Sequence, residues 1–370
     1  MFDYCLIMAG GFGMRLWPAS SSRLPKQFLP ADGKNSFFSL ALKRALAVTG
    51  NSGNIIIITG KHHLSHVIKD CARLSNAQKK RIVIICEPSA MNTAPAIACA
   101  VKYSLLNANG NKMLVLTSDH IINPLEAFVS DANLAAASIE KGKLAVFGIK
   151  PNRPETGYGY IERGNALGAI TNVYNVAAFH EKPDLETAKK YTANKHFYWN
   201  SGMFAFSANF LADQFRMHSP EVFLPFDKLK AVNAENLTTT QSVKVLENWH
   251  GLKSAYSKTK KISFDNAIVE KCKETVMIHT NFNWIDIGDW EEYIKVCGNN
   301  KSEVYRAAEE TCYVDSDIPV ALAGVNDLII IIRSGKNGEP AAALITKKGE
   351  TQKVRHVVEQ ITKAGKTELL

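Results

Sequence analysis

Glycines crowded ahead of an arginine are the first feature of this chain that could do chemistry. Ala9-Gly10-Gly11-Phe12-Gly13-Met14-Arg15-Leu16-Trp17-Pro18 closes an apolar run at residues 4–9 that reads as a strand. Glycines carry no Cβ, so backbone N–H groups can approach phosphate oxygens there, and Arg15 adds a planar, permanently charged fork. The spacing excludes two well-known phosphate loops. A Walker loop needs G-x-x-x-x-G-K-[ST], which is missing, and a dinucleotide fingerprint needs a third glycine where Leu16 stands. On its own, the cluster fits a tight strand-to-loop turn equally well. Pro25-Lys26-Gln27-Phe28-Leu29-Pro30 follows so closely that Lys26 can return a second cation to the same pocket.

Taken together, Gly10-Gly11-x-Gly13-x-Arg15-Leu16-Trp17-Pro18 and Pro25-Lys26-Gln27-Phe28-Leu29 resemble the sugar-1-phosphate nucleotidyltransferases, especially the mannose-1-phosphate guanylyltransferases. Further matches follow in order: Glu87-Pro88 with Asn92-Thr93-Ala94-Pro95-Ala96-Ile97, Ser118-Asp119-His120, Gly157-Tyr158-Gly159-Tyr160-Ile161 and Phe179-His180-Glu181-Lys182-Pro183. Trp199-Asn200-Ser201-Gly202-Met203-Phe204, Phe264-Asp265-x-Ala267-Ile268-x-Glu270-Lys271 and Trp284-x-Asp286-x-Gly288-x-Trp290 complete the set. The resemblance runs nearly continuously over residues 3–297 and more faintly into the tail.

The resemblance implies transfer of GMP from GTP to mannose 1-phosphate, giving GDP-mannose and pyrophosphate. In such a reaction a sugar-phosphate oxygen attacks the α-phosphorus while pyrophosphate leaves, so negative charge must be held on both sides. Mg²⁺ suits that task with one or two carboxylates and the substrate phosphates as ligands. The resemblance supplies Asp119 and Asp286 as metal ligands, and Arg15 and Lys26 as the cations that steady the polyphosphate. It implies nucleotide contacts from Ala9, Gly10, Gly11, Gly13, Arg15, Lys26, Asn92, Ser118 and Asp119. Lys182 would grip the sugar phosphate, with Glu181, Asn200 and the backbone of Gly159 hydrogen-bonding sugar hydroxyls. Read alone, Asp119 also suits a helix cap, Asp286 a turn, and Glu181-Lys182 a solvated charge pair ahead of a helix. Other sugar 1-phosphates, other nucleoside triphosphates and an inactive nucleotide-sugar-binding subunit are the alternative functions. The last of these should have lost a metal carboxylate or a phosphate cation, and none of the five charged residues is missing.

Two positions depart from the family pattern. Met91 stands where an arginine usually precedes the Asn-Thr-Ala-Pro block, and Met14 where a hydroxyl residue is common before the loop arginine. The chain ends at Leu370, so the cupin-type isomerase domain of longer bacterial members is not expected. His62 and His66 have the i, i+4 spacing zinc favours, but no third ligand stands near them, and a surface helix start explains them better. Trp17, Trp284 and Trp290 suit either core or site walls.

The elements that must hold these residues are legible in outline. Apolar runs at 4–9, 54–59, 81–86, 112–117 and 144–149 alternate with helical patterns, such as Phe38, Leu42, Ala45 and Leu46, or Ile97, Val101 and Leu105. Pro95 just after Asn92-Thr93 marks a helix start. This rhythm predicts an α/β fold: a Rossmann-like, mixed and mainly parallel sheet flanked by helices, with ligands at the strand carboxyl ends. Strand-like 158–162, 173–180, 204–206 and 275–279, with a helix at 184–193, read as an insertion that elaborates the same sheet. Gly298-Asn299-Asn300-Lys301-Ser302 is polar and turn-rich, and β-rich runs at 327–333 and 341–346 follow it. The expected domains are therefore a catalytic domain at 1–297 and a small β-rich domain at 298–370.

Composition narrows the remaining classes. The chain has 370 residues, 46% of them hydrophobic and 21% charged, with a mean hydropathy of −0.10, values of a globular protein rather than a disordered or fibrous one. No apolar run approaches the length of a spanning helix and the start has no basic leader region, so a cytoplasmic protein without membrane partner is expected. Seven scattered cysteines include no C-x-x-C pair, which argues against a disulfide framework and a zinc ribbon. The net charge of +9 suits a polyanionic ligand. Basic residues are spread along the chain and no aromatic–basic RNA motif occurs, so nucleic acid is not an expected partner; the homodimer is an expectation that comes from the resemblance alone, since the family often forms dimers.

Overall fold

The computed structural model describes residues 1–370 apart from 12, 108–110, 169–170, 299–301, 310 and 336–339. Phe12 of the glycine loop and Asn299-Asn300-Lys301 of the turn-rich stretch thus lie outside the described residues. The chain forms two compact units. Met1–Gly10, Ala41–Ser118 and Ile122–Trp284 make the first, and Gly11–Leu40, Asp119–Ile121 and Ile285–Leu370 the second.

The first unit is built on an eleven-stranded mixed sheet. Across it run Thr238–Thr240, Val243–Leu246, Ile82–Glu87, Asn54–Gly60, Tyr4–Met8, Lys112–Thr117, Phe197–Ser207, Leu144–Ile149, Thr275–His279, Val173–His180 and Tyr160–Ala166. Tyr4–Met8 pairs in parallel with Asn54–Gly60 and Lys112–Thr117, and Asn54–Gly60 with Ile82–Glu87. Ile55, Ile56 and Ile57 are fully buried, as continuous apolar runs must be in a sheet covered on both faces. Phe197–Ser207 enters antiparallel between Lys112–Thr117 and Leu144–Ile149. Antiparallel pairing then dominates the far half, although Thr275–His279 pairs in parallel with Leu144–Ile149, and residues beyond 150 extend the sheet at both edges, since Val243–Leu246 joins Ile82–Glu87 in parallel on the other side.

Helices flank this sheet where their periodicity places them. Asn92, at φ 72°, accepts from the Thr93 N–H at 2.8 Å and opens the helix Thr93–Asn107. Pro95 falls in the first turn, where its missing N–H costs nothing. Ala94, Ala96, Ala98 and Ala100 are buried, and these small side chains let the helix pack against Ala208–His218 and Pro220–Asp227. The helix Leu185–Ala193 starts at Asp184, whose side chain accepts from the Thr187 N–H at 2.7 Å.

His62 and His66 do not share one helix. His62 lies on the turn Lys61–His63 and His66 on the helix Leu64–Cys71. His63 between them is buried, which a purely surface helix start does not provide. Among the described residues no group of three or more His, Cys, Asp or Glu side chains could hold a metal. All seven cysteines are free, six of them buried. No helix among the described residues is long and apolar enough to cross a membrane.

In the second unit, Leu16, Trp17, Leu29, Phe37, Ile287, Trp290, Ile329, Ile331, Val354 and Val358 share one core. The strand Leu328–Arg333 pairs in parallel with Tyr313–Ser316 and antiparallel with Ala342–Lys347. The tail therefore contains the expected strands, and also the helix Val354–Lys363, which strand patterning does not reveal. Trp17 and Trp290 are core residues. The Trp290 indole donates to the Trp17 carbonyl at 3.0 Å, and the Trp17 indole to the Leu369 carbonyl at 2.7 Å. Trp284, in the first unit, packs edge-on against Tyr158 with ring centroids 5.2 Å apart.

Candidate active site

The second unit brings Lys26, Asp119 and Asp286 together. Lys26 Nζ donates to Asp119 Oδ2 at 2.9 Å and to Asp286 Oδ1 at 3.1 Å. The lysine side chain is 7% exposed and the aspartates 33% and 20%. Burial alone would lower the Lys26 pKa, but the two carboxylates outweigh it and raise the value. Burial likewise pushes the Asp119 carboxyl up, and Lys26 and His120 overcome that to hold it below the usual carboxylate range. His120 Nε2 lies 3.8 Å from an oxygen of each aspartate. Gly13 makes this packing feasible: at φ 64°, a Cβ there would lie 2.1 Å from Lys26 Cβ, so only glycine fits.

Two carboxylate oxygens that meet one cationic centre are a hard donor set of the kind Mg²⁺ takes, so these residues fit the ion the family reading implies. The lysine itself bridges the acids. A buried ammonium requires anionic partners close by, and the two aspartates satisfy that requirement.

Arg15 lies on the short turn Met14–Leu16, exposed, and donates from Nη1 to Gln352 Oε1 at 3.5 Å. Gly11 is open: among the described residues, nothing lies within 4 Å of an added Cβ.

In the first unit, Ala9 is fixed at the end of its strand. Its N–H donates to Ile58 O and its carbonyl accepts from Thr59 Oγ1, both at 2.8 Å. A Cβ on Gly10 would lie 2.8 Å from Glu87 Oε1. The Tyr256 hydroxyl donates to Glu87 Oε2 at 3.3 Å, and burial pushes the Glu87 carboxyl up to about 7. Ser118 is buried at the end of its strand, Asn92 caps its helix, and Met91 packs against the apolar core.

Gly159, Glu181, Lys182 and Asn200 also form a cluster in this unit. The Asn200 N–H donates to Gly159 O at 2.8 Å. A Cβ on Gly159 would meet Glu181 Oε2 at 2.7 Å and the Phe179 ring at 2.8 Å. Lys182, at φ 46°, pairs with Glu181 and keeps its side chain 60% exposed. Asn200 Nδ2 donates to Asp265 Oδ1 at 2.8 Å. Burial, then the neighbouring Glu181 charge, pushes the Asp265 carboxyl up to about 7. Asp265, Glu87 and His120 are the residues the candidate set leaves out. Each stands inside a motif quoted for the resemblance, which was the available signal.

The chain belongs to the nucleotidyl transferase family, whose model matches residues 4–303. Among its relatives, a mannose-1-phosphate guanylyltransferase of Escherichia coli is 34% identical over 371 residues, spanning 98% of this chain and 74% of that protein. The xanthan biosynthesis protein XanB of Xanthomonas campestris pv. campestris (strain B100) is 33% identical over 369 residues, with the same coverage. A solved structure from Thermus thermophilus, titled mannose-1-phosphate geranyltransferase, superimposes with a TM-score of 0.78 at 27% identity, covering 98% of this chain and all of that one.

Proposed function

We propose that this enzyme transfers GMP from GTP to mannose 1-phosphate, producing GDP-mannose and pyrophosphate. The observation that carries the reading is the meeting of Lys26, Asp119 and Asp286, and the names of its relatives support the choice of substrates. Asp119 and Asp286 would hold Mg²⁺, which when bound supplies positive charge to the phosphate oxygens.

The chain's own residues do the remaining work. Arg15 and Lys26 hold the β- and γ-phosphates, so that charge developing on pyrophosphate meets fixed cations. Backbone N–H groups of the loop at Gly10, Gly11 and Gly13 approach phosphate oxygens. Lys182 binds the sugar phosphate, and Glu181, Asn200 and the Gly159 backbone orient the sugar hydroxyls. The enzyme works in the cytoplasm as a homodimer, and sedimentation of the purified chain checks the dimer.

A pyrophosphate-release panel decides the matter, with four nucleoside triphosphates crossed against several sugar 1-phosphates, each with and without Mg²⁺. Highest kcat/KM is expected for GTP with mannose 1-phosphate, lost without the metal and nearly lost in Asp119→Asn and Asp286→Asn. Preference for another pair would replace the substrate assignment, and wild-type turnover in both variants would overturn the metal assignment.

A further inference from the structure

Arg15 has a partner that none of the sequence motifs contains. Gln352, 337 residues further along, accepts from Arg15 Nη1 at 3.5 Å. That contact is long, and by itself would orient little. The other end of the amide is tightly held, because Gln352 Nε2 donates to Asp289 Oδ2 at 2.6 Å. With its NH₂ committed to a carboxylate, the amide presents its oxygen to the guanidinium, and a flip would set acceptor against acceptor. Asp289 is fixed in turn. Its Oδ1 accepts from the Glu291 and Glu292 N–H groups at 2.9 and 3.1 Å, capping the helix Trp290–Cys297.

Gln352 is also anchored through its own backbone. It lies on the turn Thr351–Lys353, which leads into the helix Val354–Lys363. Val354 and Val358 of that helix pack into the core shared with Leu16 and Trp17, the residues that follow Arg15. Thr351 Oγ1 donates to Glu291 Oε1 at 3.4 Å, tying the same turn to the capped helix.

We propose that Gln352 is a positioning residue for nucleotidyl transfer, aiming the Arg15 guanidinium through a relay from Asp289. The inference rests on the reading of Arg15 as a phosphate-binding cation. An amide is suited to the role because it orients the guanidinium without neutralising it, whereas a carboxylate would quench the charge needed by the phosphates. An arginine held this way loses less side-chain freedom when the nucleotide arrives.

The test uses the full chain with GTP and mannose 1-phosphate. Gln352→Ala is expected to lower kcat/KM for GTP about five- to thirty-fold, with Tm unchanged within ~2 °C. In an Arg15→Ala background the same substitution should cost nothing further, since the two residues act as one unit. Gln352→Glu should raise the KM for GTP, because it pairs with Arg15 and is repelled by Asp289. Wild-type kcat/KM in Gln352→Ala overturns the proposal, and so does an equal loss in the presence and absence of Arg15, which marks a merely structural role. Full activity in Arg15→Ala would instead sink the phosphate-cation reading itself.

Discussion

Lys26 Nζ lies 2.9 Å from Asp119 Oδ2 although 93 residues separate them in sequence. The same ammonium bonds Asp286, 260 residues away. One buried lysine thus gathers two acids from distant segments, and its position depends on a glycine thirteen residues earlier that leaves room for its stem.

Removing that ammonium should be costly. Lys26→Met leaves two carboxylates facing each other and is expected to destabilise the fold by about 1–3 kcal/mol, a value reduced because both acids are partly exposed. Turnover should be lost as well. The Asp119 pKa lies below its ordinary 3.8, so the stability it contributes is present above that pH and fades as pH falls toward the folded value. Urea titrations at pH 7 and pH 3 should therefore show the gap between wild type and variant narrowing in acid. A gap that widens would contradict the ion-pair account.

The loop glycines should separate by function. Gly13→Ala forces a Cβ into Lys26 at a positive φ and is expected to lower Tm along with activity. Gly11→Ala meets nothing among the described residues, so its Tm should stay near wild type while the KM for GTP rises. Equal Tm values for the two variants would show that Gly13 is not sterically required.

Glu87 should make stability depend on pH in the opposite sense to Asp119. Its pKa rises from 4.5 to about 7 on folding, so its favourable contribution is complete below pH 4.5 and is lost as pH rises through about 7. Glu87→Gln, which keeps an acceptor for the Tyr256 hydroxyl, is expected to gain Tm over wild type at pH 8 and little at pH 5. Parallel Tm curves across that range would contradict this.

Crowding at Gly159 leads to a selective defect. An added Cβ would press on Glu181 and the Phe179 ring, so Gly159→Ala should raise the KM for mannose 1-phosphate by about ten-fold or more. The KM for GTP should change much less. Comparable increases for both substrates would argue against assigning this cluster to the sugar phosphate.

Much of the framework was legible in the residues themselves. The parallel strands announce themselves as uninterrupted isoleucine and valine runs, because burial on both faces leaves no polar alternation. The helix at Thr93 announces itself by Asn92, Thr93 and Pro95, since caps are local hydrogen-bonding chemistry. The glycine loop with Arg15 stood out by residue type, whereas Asp119 and Asp286 were supplied by the resemblance, since an aspartate read alone suits a helix cap or a turn as well.

Other features needed the folded chain. The helix Val354–Lys363 carries its apolar positions at Val354, Val358 and Ile361, a helical period that is easily passed over behind a run of strands. The raised pKa of Asp265 comes from burial beside Glu181, and neither residue type nor spacing encodes burial. Sequence alone determined which groups are present and which local elements carry them, because side-chain chemistry and backbone propensity act over a few residues. Only the tertiary structure decided that Lys26 bridges two acids and that Gln352 meets Arg15, since contacts across hundreds of residues follow from how the cores pack.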